Sequence, residues 1–128
     1  MRQSPCDKPY GRVGPSTGLA LLATAVKLEI LYFDGCPNHQ QVLPMLRELA
    51  AEHGADLEQR PVETAEDAEQ AGFLGSPSIR VDGRDVEPGA ERRTDFGLKC
   101  RLYRSAGGQS GVPPREWVER ALQATAGR

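Results

Sequence analysis

EILYFDGCPNHQQVLP, residues 29–44, joins a strand to a helix through a cysteine. In the extended segment from Lys27 to Phe33, the side chains of Leu28, Ile30 and Tyr32 fall on one face and those of Leu31 and Phe33 on the other. Apolar residues on both faces mark a central strand covered on both sides. Asp34-Gly35 is turn chemistry. A helix then opens near Cys36, because Pro37 suits a first helical turn, where its missing N–H has no partner to lose. Val42, Leu46, Leu49 and Ala50 recur at helical spacing, with Leu43 and Met45 beside them. Pro44 lies inside this helix and predicts a kink. Gly54, after His53, predicts the C-cap.

Downstream, Ala55 to Val62 reads as a second strand with weak alternation. Thr64 is a good N-cap, and Asp67 three residues on completes a pattern close to a capping box. A short helix through Ala68 and Ala71 should end at Gly72. Ile79 and Val81 form a third strand, Asp82-Gly83 a tight hairpin turn, and Arg84 to Val86 the return strand. Residues 88–112 read as an irregular insertion. Within it LKCRLYR alternates as a short strand with Leu98, Cys100 and Leu102 on one face, and SAGGQSG reads as a mobile loop. A last helix opens at Pro113-Pro114 and runs through Ala124, burying Trp117, Val118, Ala121 and Leu122. The predicted order is β-α-β-α-β-β, the insertion, then α: an α/β sandwich around a mixed four-stranded sheet.

The whole chain sets outer limits. Its 128 residues make one domain by length, and a hydrophobic fraction of 38% is enough for one small core. With 16 basic and 18 acidic side chains there is no broad basic field for a phosphate backbone, so nucleic acid is not an expected partner. No apolar run reaches the ~20 residues a bilayer-spanning helix needs, and no membrane is expected either. Three cysteines (Cys6, Cys36 and Cys100) are too few and too odd for a secreted disulfide framework, which points to a reducing cytoplasm. Residues 1–26 are rich in Gly, Pro and Ser and read as a disordered or extraneous extension. Their end, LALLATA, weakly imitates a signal peptide, and the domain itself is expected over 27–126.

The motifs of residues 27–87 and the last helix resemble the thioredoxin-fold family. In CPNHQQVLP, Cys36 stands at the first position of that family's C-x-x-C, His39 at the second, and Pro44 at its kinking proline. In GSPSIRV, Pro77 after Ser76 stands where the family has a cis-proline before its third core strand. More narrowly, LYFDGCPNH, FLGSPSIRVDGRDVEP and GLKCRLYR with GVPPREW look like a group of small bacterial thioredoxin-like proteins that often carry the label alkylmercury lyase. The resemblance implies a thioredoxin-like fold and thiol–disulfide exchange with a protein or small-molecule substrate, with no cofactor. It also implies that the Ser76 backbone, ahead of a cis Pro77, pairs with an extended substrate beside Cys36. His39 in place of the second cysteine rules out a dithiol cycle inside the motif. The insertion carrying Cys100 is absent from plain thioredoxins.

Cys36 is the residue to which the chemistry is assigned, over the reading as a small buried hydrophobe. A helix N-terminus offers unpaired N–H groups and partial positive charge, and both favour thiolate over thiol. His39, one turn on, is either a partner of that thiol (ion pair, proton relay or metal ligand) or a solvated surface histidine. Cys100 is either the resolving thiol or a second soft ligand, or it is core beside Leu98 and Leu102. Arg92, Arg93, Arg101 and Arg104 are expected as a solvated face in preference to an anion site, and Asp34 as a turn cap in preference to a proton donor. Two alternatives to redox chemistry follow from the same residues. An organomercurial lyase or heavy-metal thiol protein would use Cys36 and Cys100 on the soft metal, and a metal-binding module would use Cys36, His39 and Cys100 as ligands.

Overall fold

Strand β1 (Lys27–Tyr32) is central in the computed structural model, which describes residues 25–126. The expectations for the leader, including Cys6, fall outside the described residues. Helix α1 spans Pro37–His53, β2 Asp56–Pro61, α2 Ala65–Ala71, β3 Ser78–Val81 and β4 Arg84–Asp85. A turn of 3-10 helix (Ala90–Arg92), a hairpin of β5 (Tyr103–Ser105) and β6 (Gly108–Ser110), and helix α3 (Arg115–Ala126) complete the order. Strands β2-β1-β3-β4 form one mixed sheet, with β2 parallel to β1 and the other neighbours antiparallel. The chain is thus an α/β domain with three helices and a mixed four-stranded sheet among its described residues.

The two faces of β1 divide the core as the alternation requires. Leu28 and Ile30 pack with Val42, Leu43, Leu46 and Leu49 of α1 and with Val118 and Leu122 of α3. Leu31, on the opposite face, packs with Val62, Ala68 of α2 and Phe73. Helices therefore cover both faces, which is what strands apolar on both sides need. Arg115 ties α3 to α1 through Glu48 at 2.5 Å and Glu52 at 3.4 Å.

The local signals act where they were read. Pro37 occupies the first turn of α1 and Gly54 caps its end. Pro44 sits on the exposed side of α1 within its continuous helical span. The Thr64 hydroxyl accepts the Asp67 N–H at 3.0 Å, and α2 ends at Gly72. Asp82 and Gly83 carry φ of 49° and 86°, the left-handed pair that a two-residue hairpin turn demands.

The insertion differs from its reading. Leu98 is 41% exposed and Leu102 55% exposed, and Cys100 is also exposed. The buried residues are the alternate ones, Arg101 and Tyr103, each 1% exposed. The alternation was real, but the polar face turned inward because partners waited there. Of the LKCRLYR segment only Tyr103 and Arg104 lie within β5, and Cys100 makes an isolated bridge. The SAGGQSG segment forms the turn and second strand of the β5–β6 hairpin instead of a free loop.

Candidate functional site: the thiol at the start of helix α1

Cys36 is the last extended residue before α1, with φ −76° and ψ 114°. Its N–H donates to the Phe33 carbonyl at 3.3 Å, which closes the Asp34-Gly35 turn and aims the chain into the helix. The thiol therefore stands where the first N–H groups of α1 lack intrahelical partners and the helix dipole is positive. No side chain caps this end. Cys36 is only 4% exposed, so it is not the openly presented thiol of the sequence reading. It is counted among the buried apolar residues, as the small-hydrophobe reading has it, although it joins neither of the two main apolar clusters. Asp34 is exposed in the turn.

His39 is buried, which corrects the surface reading. Its ring stacks on Tyr32 at 3.7 Å between centroids with the planes 4° apart, and Nε2 pairs with Oε1 of Gln59 at 3.0 Å. The ring's partners are residues of β1 and β2, while the His39 backbone N–H donates to the Cys36 carbonyl at 3.3 Å. It fastens the first turn of α1 onto the sheet.

The Ser76–Pro77 peptide is cis, as the resemblance implied. Ser76 is fully buried, however, and its backbone is not free. Its N–H donates to the Lys99 carbonyl at 2.8 Å, and its carbonyl accepts the Arg101 N–H at 3.0 Å. Cys100 is thereby the bridge partner of Ser76. β1 and β3 run antiparallel with Leu31 opposite Ser78, so the end of β1 that leads to Cys36 and the start of β3 that follows Ser76 lie at the same end of the sheet. Both cysteines are free, and the topology brings them to the same end of the sheet. Among the described residues, the Ser76 hydroxyl has no hydrogen-bond partner.

Arg101 anchors this arrangement. Nη1 donates to Ser78 Oγ at 2.9 Å and to Asp85 Oδ2 at 2.7 Å, while Nη2 donates to Asp85 Oδ1 and Glu87 Oε1, both at 2.8 Å. Burial opposes its charge, but the hydrogen bonds to Asp85 and the neighbouring anions outweigh burial and hold its pKa above the ordinary value. The guanidinium also lies 4.5 Å over the Tyr103 ring, whose hydroxyl donates to the Pro77 carbonyl at 2.5 Å. Burial pushes the Tyr103 phenol up. Arg93 pairs with Glu87 at 2.9 Å and Asp95 at 2.6 Å, and Lys99 with Asp95 at 2.9 Å. The arginines expected as a solvated face are thus partly structural: Arg101 is buried, and Arg93 is held by two carboxylates.

The sequence reading missed Arg101 as the anchor of the strap formed by Lys99–Arg101, whose backbone pairs with Ser76. Its signal was present in RDVE, where Asp85 and Glu87 stand two apart at and just past β4, with Val86 buried between them. Among the described residues, no group of three or more His, Cys, Asp or Glu side chains is arranged to hold a metal ion. Cys36, His39 and Cys100 do not form the three-ligand site considered above. No described helix is long and apolar enough to cross a membrane.

Fold and site together define an α/β domain carrying a thiol where the helix after its central strand begins. No protein-family model matches the chain, and no curated protein matches it significantly.

Proposed function

We propose that this chain is a thioredoxin-like thiol–disulfide redox protein working in a reducing cytoplasm, with Cys36 as its nucleophile. One observation carries the reading. Cys36 is the residue from which α1 starts, just past the Asp34-Gly35 turn that ends the central strand, beside the first N–H groups of the helix, which have no intrahelical partners. The Cys36 thiolate attacks one sulfur of a substrate disulfide. That S–S bond breaks, a mixed disulfide forms, and the other substrate sulfur leaves as a thiolate. The Cys100 thiolate then attacks the Cys36 sulfur, releases the second substrate thiolate, and leaves a Cys36–Cys100 disulfide. The substrate has gained two electrons, and an external dithiol restores the protein by the same exchange.

The two cysteines provide an internal test. Accessibility alone favours reaction at exposed Cys100 over buried Cys36. Iodoacetamide labelling of the native protein near neutral pH, read by peptide mapping, should nevertheless modify Cys36 first. Slower labelling at Cys36 than at Cys100, with no adduct trapped from a disulfide substrate, removes the proposal.

A further inference from the structure

We infer that the exposed thiol of Cys100 is a modification site that takes an acidic low-molecular-weight disulfide. Cys100 itself lines an open depression of about 410 Å³. That volume is on the scale of a small organic molecule. Arg93, Lys99, Arg101 and Arg104 line it too, against the two carboxylates of Glu87 and Asp95. Both carboxylates are already shared. Glu87 pairs with Arg93 and Arg101, and Asp95 with Arg93 and Lys99. Asp85, outside the depression, takes a further part of the Arg101 charge. Arg104 is exposed and pairs with no carboxylate among the described residues. Positive charge is therefore in excess around the sulfur, and an anion is the complementary ligand.

Arg101 gives a second, independent reason. Its side chain is 0% exposed, yet its Nε is buried with no partner among the described residues. A buried donor left unpaired carries a cost that an incoming acceptor relieves, and a carboxylate is the strongest such acceptor. Leu102 lines the same depression at 55% exposure and offers contact to the methylene part of the ligand. The reaction is thiol–disulfide exchange. The Cys100 thiol loses its proton to water, and the thiolate attacks one sulfur of the acidic disulfide. That S–S bond breaks, a disulfide between Cys100 and one half of the ligand forms, and the other half leaves as a thiolate. The Cys100 sulfur is oxidised and the departing sulfur reduced. This step needs no part of the Cys36 chemistry. Where the cycle proposed above runs, the cap withholds its second sulfur.

The test uses the full chain with Cys36→Ser, so that exchange with Cys36 cannot clear the adduct. Dithiodiglycolate carries two carboxylates and cystamine two ammonium groups. Each is mixed with the reduced protein, and adduct formation at Cys100 is followed by peptide mapping. Each rate is divided by that of the same disulfide with N-acetylcysteinamide, which removes intrinsic reactivity. The normalised rates should favour dithiodiglycolate by about 10-fold at low ionic strength, the lower end of what a charged cleft provides. They should approach parity in about 1 M salt, where the screening length is only about 3 Å. Arg104→Gln alters an exposed side chain and should cut the preference about threefold. Initial rates at Cys100 in the parent protein give the same ratio should Cys36→Ser fail to fold. Equal normalised rates at low salt, a preference for cystamine, or a preference that neither salt nor Arg104→Gln reduces overturns the inference. So does the absence of any adduct at Cys100. None of these results bears on the labelling of Cys36, which tests the redox reading separately.

Discussion

Replacing Arg101 with methionine keeps an unbranched apolar stem and deletes the charge that Asp85 and Glu87 face. The side chain makes four hydrogen bonds, three of them to carboxylates. Removing one partner of a buried pair costs ~3–5 kcal/mol, mainly because the other charge is left uncompensated. Two features reduce that figure here. The Asp85 and Glu87 side chains are 12% and 21% exposed, so both recover some hydration. Arg101 Nε is buried with no partner among the described residues, so the native arrangement already carries a penalty that the variant relieves. The expected loss is therefore about 3 kcal/mol, at the lower end of that range. In a domain of roughly 100 residues this lowers Tm by about 12–24 °C. Urea unfolding followed by circular dichroism measures it directly. Arg101→Lys should lose about 2 kcal/mol, since an ammonium cannot make the bidentate contact to Asp85. Asp85→Asn combined with Arg101→Met should cost less than the sum of the two single changes, because the unpaired carboxylate is then gone. A loss below ~1 kcal/mol for Arg101→Met, or strict additivity of the pair, refutes the view that this ion cluster anchors the strap.

Gly75→Ala puts a Cβ against the strap at a φ of +127°, and should cost roughly 2 kcal/mol while speeding exchange of the Ser76 amide; unchanged exchange contradicts the close approach. The hydrogen bonds from Arg93 and then Lys99 hold the Asp95 carboxyl well below its ordinary 3.8. A depressed folded-state pKa contributes stability above the unfolded value and loses it as pH falls below. The parent protein should therefore weaken slightly more than Asp95→Asn in acid below about pH 4, and parallel acid-unfolding curves for the two refute this. Thr64→Ala removes the cap of α2 and should cost about 1 kcal/mol in a urea melt, whereas no change would mean that the Asp67 N–H finds water equally well.

What the chain alone determined is local. Apolar residues on both faces of Lys27–Phe33 placed β1 at the centre of the sheet, because a strand with two apolar faces must be covered twice. The stripe of α1, the caps at Thr64 and Gly54, and the Asp82-Gly83 turn depend on residues a few positions apart, so a short window contains their causes. Cys36 was legible for the same reason: strand, turn, proline and helical stripe are contiguous. Only the tertiary structure decided which face of LKCRLYR turned inward. Leucine is ordinarily the buried residue and arginine the exposed one, so alternation pointed to Leu98 and Leu102. The preference reversed because Asp85 and Glu87, sixteen and fourteen residues from Arg101, lie where its guanidinium can pair and offset desolvation. His39 turned inward on the same terms, with Tyr32 beneath it and Gln59 twenty residues away. The closed edge at Ser76 depends on long-range pairing too. A polar group is buried only where the fold supplies its partner, and partners distant in sequence leave no mark on the segment that will need them.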